Sequence, residues 1–151
     1  MSTRAIIARQ QGDGWEGRYH HFDGYPRGLG ATLYALYHGH FQRDIDGMLA
    51  VLIDEHPAGW SSIHDADWSQ PPAFQPFDAP SPRAPSCYCH GARHEAADLR
   101  TPDAPDHFEE WLYVLSPVGR TMSIFDTSDC REHLRGIVRL DDPPPDWNAF
   151  T

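Results

Sequence analysis

The chain has 151 residues, 40% of them hydrophobic and 23% charged, with a formal net charge of -10 at pH 7. That size and composition suit one folded domain and exclude a wholly disordered chain, and the negative balance argues against general binding to nucleic acid phosphates or anionic lipid. Every cation is arginine. Schiff-base chemistry and P-loop phosphate binding, which both need a lysine amine, are therefore excluded, and acid–base work falls to histidine and carboxylates.

In chain order, residues 3–9 (Thr-Arg-Ala-Ile-Ile-Ala-Arg) read as a short buried strand, and Gly12-Asp13-Gly14 supplies a turn. Trp15 to Phe22 reads as the returning strand of an antiparallel hairpin, with Trp15, Gly17, Tyr19 and His21 on one face and Arg18, His20 and Phe22 on the other. After the tight connection Asp23 to Gly28, the spacing of Leu29, Leu33, Leu36, Tyr37 and Phe41 predicts a helix over 29–43. Asp44 is placed to cap a second helix whose inner face carries Ile45, Met48, Leu49, Leu52 and Ile53, and Pro57 and Gly59 end it.

Residues 69–86 form a proline-rich connector with Phe74 and Phe77 between its prolines, read as loop or polyproline-like backbone. Further strands are predicted over 87–92, 109–116, 121–126 and 134–140, and a proline-rich tail over 141–151. Neither side of the connector carries a self-sufficient core, so the expectation is a single domain over 1–151. Its fold class is read as α+β, a mainly antiparallel sheet with two helices packed on one face.

The segment Met-Ser-Thr-Arg-Ala-Ile-Ile, followed by Arg-Tyr-His-His-Phe-Asp-Gly-Tyr-Pro-Arg-Gly-Leu-Gly, resembles a group of small phage and bacterial proteins. They open with Met-x-Thr-Arg and then carry Tyr-x-His-Trp-Asp-Gly-Tyr-Pro before a helix. The likeness covers about the first quarter of the chain, with Phe22 where that pattern has Trp. It implies a phage or mobile-element setting and supplies no mechanism.

Two regions stand out chemically. The first is the strand-to-helix junction. Free amides at a helix start favour anions, and Arg27 with Arg4 from the neighbouring strand can add charge-assisted bonds. His20, His21, Asp23, Tyr25, Arg27, Gly28 and Arg4 are the candidate ligand residues, and His21 with Asp23, two apart on one strand, can orient a ligand or share a proton. The bland alternative is a turn in which Asp23 caps backbone amides and His21 is structural.

The second region is Cys87-Tyr88-Cys89-His90 with His94, joined by Cys130 and His133. Thiolate and imidazole are the donors zinc prefers, and Cys87, Cys89, Cys130 and His133 make one tetrahedral set in which His90 or His94 can replace a member. The spacing matches no standard zinc knuckle, and three reduced cysteines without metal are the competing reading. If zinc is present, its expected role is structural. His38 and His40, at the end of the first helix, read as partners of its C-terminus. His56, His64, Asp65 and Asp67 form a further polar cluster of the kind a hydrolase can use, in an order that fits no hydrolase motif. Asp126 and Asp129 read as turn residues.

An odd cysteine count with no secretory leader predicts a reducing, cytoplasmic setting, and no run approaches the roughly 18 apolar residues of a membrane helix. The functional expectation is an accessory protein that binds a small anionic, nucleotide-like ligand at the junction. The alternatives are a small hydrolase or transferase using His and Asp, and a protein that contacts a host protein through exposed aromatics (Phe74, Phe77, Trp147, Phe150) and holds a structural zinc. No catalytic constellation has diagnostic spacing, which favours binding over turnover.

Overall fold

The structure, a computed structural model, describes residues 2–74, 83–89, 99–102 and 109–150. A seven-stranded sheet dominates it, in the order β4-β3-β2-β1-β5-β6-β7. The strands are β1 (Ala5–Gln11), β2 (Gly14–His20), β3 (Trp60–Ser62), β4 (Ser86–Cys87), β5 (Trp111–Ser116), β6 (Thr121–Asp126) and β7 (His133–Arg139). Two helices, α1 (Ala31–His38) and α2 (Ile45–Leu49), lie between β2 and β3 in the chain. Among the described residues, no helix is long and apolar enough to cross a membrane.

The hairpin expected from the first twenty residues is present, with Ala5 opposite His20 and Gln11 opposite Gly14. Its Gly12 takes the positive φ of 58° that the turn needs. The sheet is mixed rather than purely antiparallel: four of its pairings are antiparallel and two are parallel. β1 runs parallel to β5 and β2 parallel to β3. The hairpin lies inside the sheet rather than at its edge, so each of its strands needs a further neighbour. Those neighbours arrive by long connections, which permit parallel pairing where a tight turn would not.

Helix boundaries also shift. A wide helical turn, Pro26–Gly30, precedes α1, and α1 ends at Gly39 rather than running to Arg43. Gln42 and Arg43 have φ of 48° and 66°, which no helix accommodates. Asp44 caps α2 as expected, its Oδ1 accepting from the Gly47 amide at 3.0 Å. A second wide turn, Ala50–Asp54, prolongs α2. The predicted strand over 87–92 is described only as far as Cys87, and residues 90–92 lie outside the described residues, as does Phe77.

Strand alternation divides the core. Ala5, Ile7, Tyr113, Leu115, Met122 and Ile124 join the helical residues Leu29, Leu33, Tyr37, Met48, Leu49 and Ile53 in one cluster. Ile6, Ala8, Trp15, Leu112 and Val114 form a second, smaller one on the opposite side of the strands. Trp147 and Phe150, expected to be exposed, instead pack partly buried against the larger cluster. The tail folds back as a short helical turn, Trp147–Phe150, that closes over Gly30 and Gly136; a Cβ at Gly136 would lie 2.5 Å from the Phe150 ring.

His20 shows what this layering does to a titratable group. It is fully buried, and its Nε2 accepts from the Ile63 amide at 3.1 Å, so the neutral ring carries its proton on Nδ1, which has no partner. Burial, with smaller contributions from His21 and His64, lowers its pKa to about 3. An unfolded chain takes up this proton near pH 6.5 and the folded chain refuses it until about pH 3, so stability falls as pH drops through that interval. The slope is about 1.4 kcal/mol per pH unit, or about 2 kcal/mol lost between pH 6.5 and 5. Urea denaturation of the wild type and His20→Gln at both pH values checks this: the variant is expected to lose less by about that amount.

Candidate metal centre

Three metal-binding side chains converge beside the short edge of the sheet. β3 and β4 pair with Trp60 opposite Cys87 and Ser62 opposite Ser86. The Tyr88 amide then bonds to the Gly59 carbonyl at 3.0 Å, carrying the pairing past β4. Cys87 is fully buried at the end of this strand, and Cys89 is half-buried two residues on.

His56 reaches them from the turn that leads into β3. Its carbonyl accepts from the Gly59 amide at 3.0 Å, closing the turn. Gly59 has φ of 85°, and a Cβ there would stand 2.7 Å from the Tyr19 carbonyl oxygen, so glycine is required on both counts. Two side chains fix this turn from beneath. The Trp60 indole donates to the Leu52 carbonyl at 2.9 Å, and the Arg18 guanidinium donates to the carbonyls of Ile53 (2.8 Å) and Pro57 (3.3 Å). The His56 ring rests on the Trp60 ring at a centroid distance of 4.5 Å.

The result is a set of one imidazole and two sulfurs whose ligand atoms all lie within 4.8 Å of one another. His56 Nδ1 and Cys89 Sγ are 3.8 Å apart. Metal bonds of about 2.0 Å to nitrogen and 2.3 Å to sulfur at a tetrahedral angle separate those two atoms by about 3.5 Å, so this pair is already near its liganded spacing. Arg18 also lies within electrostatic reach of Cys89; burial lowers the pKa of Arg18, and Asp54 and Cys89 oppose that shift. His56 also borders a groove of about 350 Å³ lined by His40, Glu55, Trp68 and Pro71. His56, Cys87 and Cys89 can therefore hold a metal ion.

No family model matches this chain, and no curated protein or solved structure shows significant similarity to it. The reading of the centre rests on its geometry.

The metal residues expected from sequence separate into three groups. Cys87 and Cys89 come together. Cys130 and His133 do not join them among the described residues: Cys130 is exposed, and His133 Nε2 pairs with Asp129 at 2.7 Å. His90 and His94 lie outside the described residues. None of the three cysteines forms a disulfide. The later His/Asp cluster disperses. His64 pairs with Asp65 (3.2 Å) and Thr32 (3.0 Å), Asp67 caps Ser69, and His56 alone of that group turns to the cysteines. His38 bonds to the Leu140 carbonyl, and His40 stacks on Trp68.

The strand-to-helix junction closes largely on itself. The Gly24 amide donates to Thr3, Gly28 to Tyr25, and Leu29 to both Asp23 and Tyr25, all at 2.9 to 3.0 Å. The amides of His21 and Phe22 bond to Trp60 and Ser61. β2 ends at His20 and Asp23 takes φ of 56°, so the strand alternation that would align His21 with Asp23 is broken. His21 Nδ1 bonds to the Tyr19 hydroxyl at 2.6 Å, and Asp23 accepts from the Tyr25 hydroxyl at 3.1 Å. Arg27 is exposed over the Tyr25 ring at 5.2 Å, and Arg4, just before β1, is exposed. At these positions the backbone donors that an anion would use are already engaged.

Proposed function

We propose that this chain is an accessory protein that acts by contacting a protein partner, and that one structural zinc ion held by His56, Cys87 and Cys89 fixes the sheet edge at which it does so. The observation that carries the reading is the convergence of those three side chains from two distant segments within 4.8 Å. Two thiolates and an imidazole are a soft donor set, which suits zinc over calcium or magnesium, and the two thiolates neutralise its charge.

The edge needs such a tie. β4 spans two residues and β3 three, so few ladder bonds hold them. The ion would join the turn after α2 to the end of β4, closing the chain between them. The same edge leaves Phe74 exposed, with its ring 6.4 Å from that of Tyr88, between the two cysteines. We read both helices as lying on the face of the sheet that carries this centre, since their apolar residues share a cluster with Cys87.

Elemental analysis of protein purified without chelator tests the metal. About one zinc per chain is expected, falling below about a tenth in a Cys87→Ser, Cys89→Ser double variant. Wild-type protein with less than about a tenth of an equivalent contradicts the proposal.

A further inference from the structure

The opposite face of the sheet carries a second feature, independent of the metal centre. A cavity of about 340 Å³ opens there, walled by Ile6, Trp15, Leu112 and Pro102. Its volume falls within the range of small-molecule sites, about 300–1,000 Å³. Most of its wall is apolar, and one acidic side chain is built into it. Glu109 lines the cavity and is only 3% exposed. One of its oxygens, Oε1, forms an ion pair with the Arg100 guanidinium at 3.6 Å; the other, Oε2, is buried with no hydrogen-bond partner. Buried carboxylate oxygens are otherwise satisfied in folded proteins, and one without a partner, on a side chain that lines a cavity, asks for a donor from outside.

From this arrangement we propose that the cavity binds a small organic cation, a primary ammonium on an apolar body, with Glu109 Oε2 accepting from the ammonium and the Trp15 indole and aliphatic wall covering the rest. The wall carries two acids, Glu109 and Glu132, against one arginine, Arg131, a balance that favours a cation over an anion; Glu132 Oε1 is already held by the Trp15 indole N–H at 3.3 Å. A purely apolar molecule fills the volume and leaves Oε2 unsatisfied. An ammonium supplies both the donor and the opposite charge, and an aromatic wall attracts cations. The Thr127 hydroxyl, also at the cavity, cannot replace the ligand as donor to Oε2, because it is spent on the Glu109 carbonyl at 2.8 Å.

The test is a titration of the full chain, as purified, followed by amide and indole N–H resonances. The probes are phenethylammonium and n-hexylammonium, with 2-phenylethanol and 1-hexanol as neutral counterparts. Saturable shifts are expected at the Trp15 indole and at Glu109, Leu112 and Thr127, with at least one ammonium bound about ten-fold more tightly than its alcohol. Glu109→Gln, which keeps the shape and removes the charge, is expected to erase that preference. The proposal is overturned if neither ammonium gives saturable shifts at these positions, or if alcohol and ammonium bind equally well to the wild type. That comparison needs no variant, so it stands even if Glu109→Gln fails to fold. The metal centre, on the other face, is expected to be unaffected by either outcome.

Discussion

Removing the metal with a strong chelator is expected to lower the melting temperature by about 10 °C. An ion that binds only the folded chain adds about 4 kcal/mol when its free concentration is about a thousand times its dissociation constant. For a domain of this size each kcal/mol moves the midpoint by about 2–4 °C. The effect should be large because the proposed ion would bridge parts of the chain that little else joins at that edge. β3 and β4 share only the pairs Trp60–Cys87 and Ser62–Ser86, with a register irregularity between them. In the Cys87→Ser, Cys89→Ser variant the melting temperature should start lower and no longer respond to chelator. A wild-type midpoint unmoved by chelation would mean that the three side chains pack together without an ion.

Trp60→Ala is expected to cost about 3–5 kcal/mol, the range for emptying the site of a buried aromatic. Trp60 is fully buried, pairs with His20 on one side and Cys87 on the other, donates to the Leu52 carbonyl and supports the His56 ring. Its loss leaves a cavity and an unpaired carbonyl, and it frees the turn that presents His56. Metal affinity should therefore fall together with stability. Trp60→Phe keeps most of the packing and loses the indole bond, so it should cost less than the alanine variant. Urea denaturation of the three proteins with metal in excess checks the order. A loss under about 1 kcal/mol in Trp60→Ala would show that the residue is not the keystone described here.

How far these features could be read from the chain follows from how local their causes are. The hairpin was legible because alternation and a glycine turn act over a few residues, and Asp44 as a cap because capping acts over three. The parallel pairings were not, since they depend on where a returning strand docks after a long connection. The same reason hides the metal centre's third member. Cys87 and Cys89 stand out by their spacing, whereas His56 lies far away in the chain and reaches them only because β4, two residues long, pairs beside Trp60. A strand that short carries no periodicity to detect, and His56 therefore grouped on paper with His64 and Asp67. Cys130 and His133 misled for the opposite reason: close in sequence and of the right chemistry, they sit where His133 already has Asp129. The junction at His20 to Gly30 has the glycines of a ligand-binding turn, but sequence cannot say whether its amides face outward, and several are bonded within the protein. Glu109 was invisible as a site residue because its burial depends on side chains from four other strands and loops around the cavity.

X-ray absorption at the zinc edge of the purified protein bears most directly on the central claim, since it counts the atoms bound to the ion. The arrangement of His56, Cys87 and Cys89 predicts two sulfurs at about 2.3 Å with imidazole nitrogen at about 2.0 Å, and loss of one sulfur in Cys89→Ser. A shell of nitrogen and oxygen alone would contradict it.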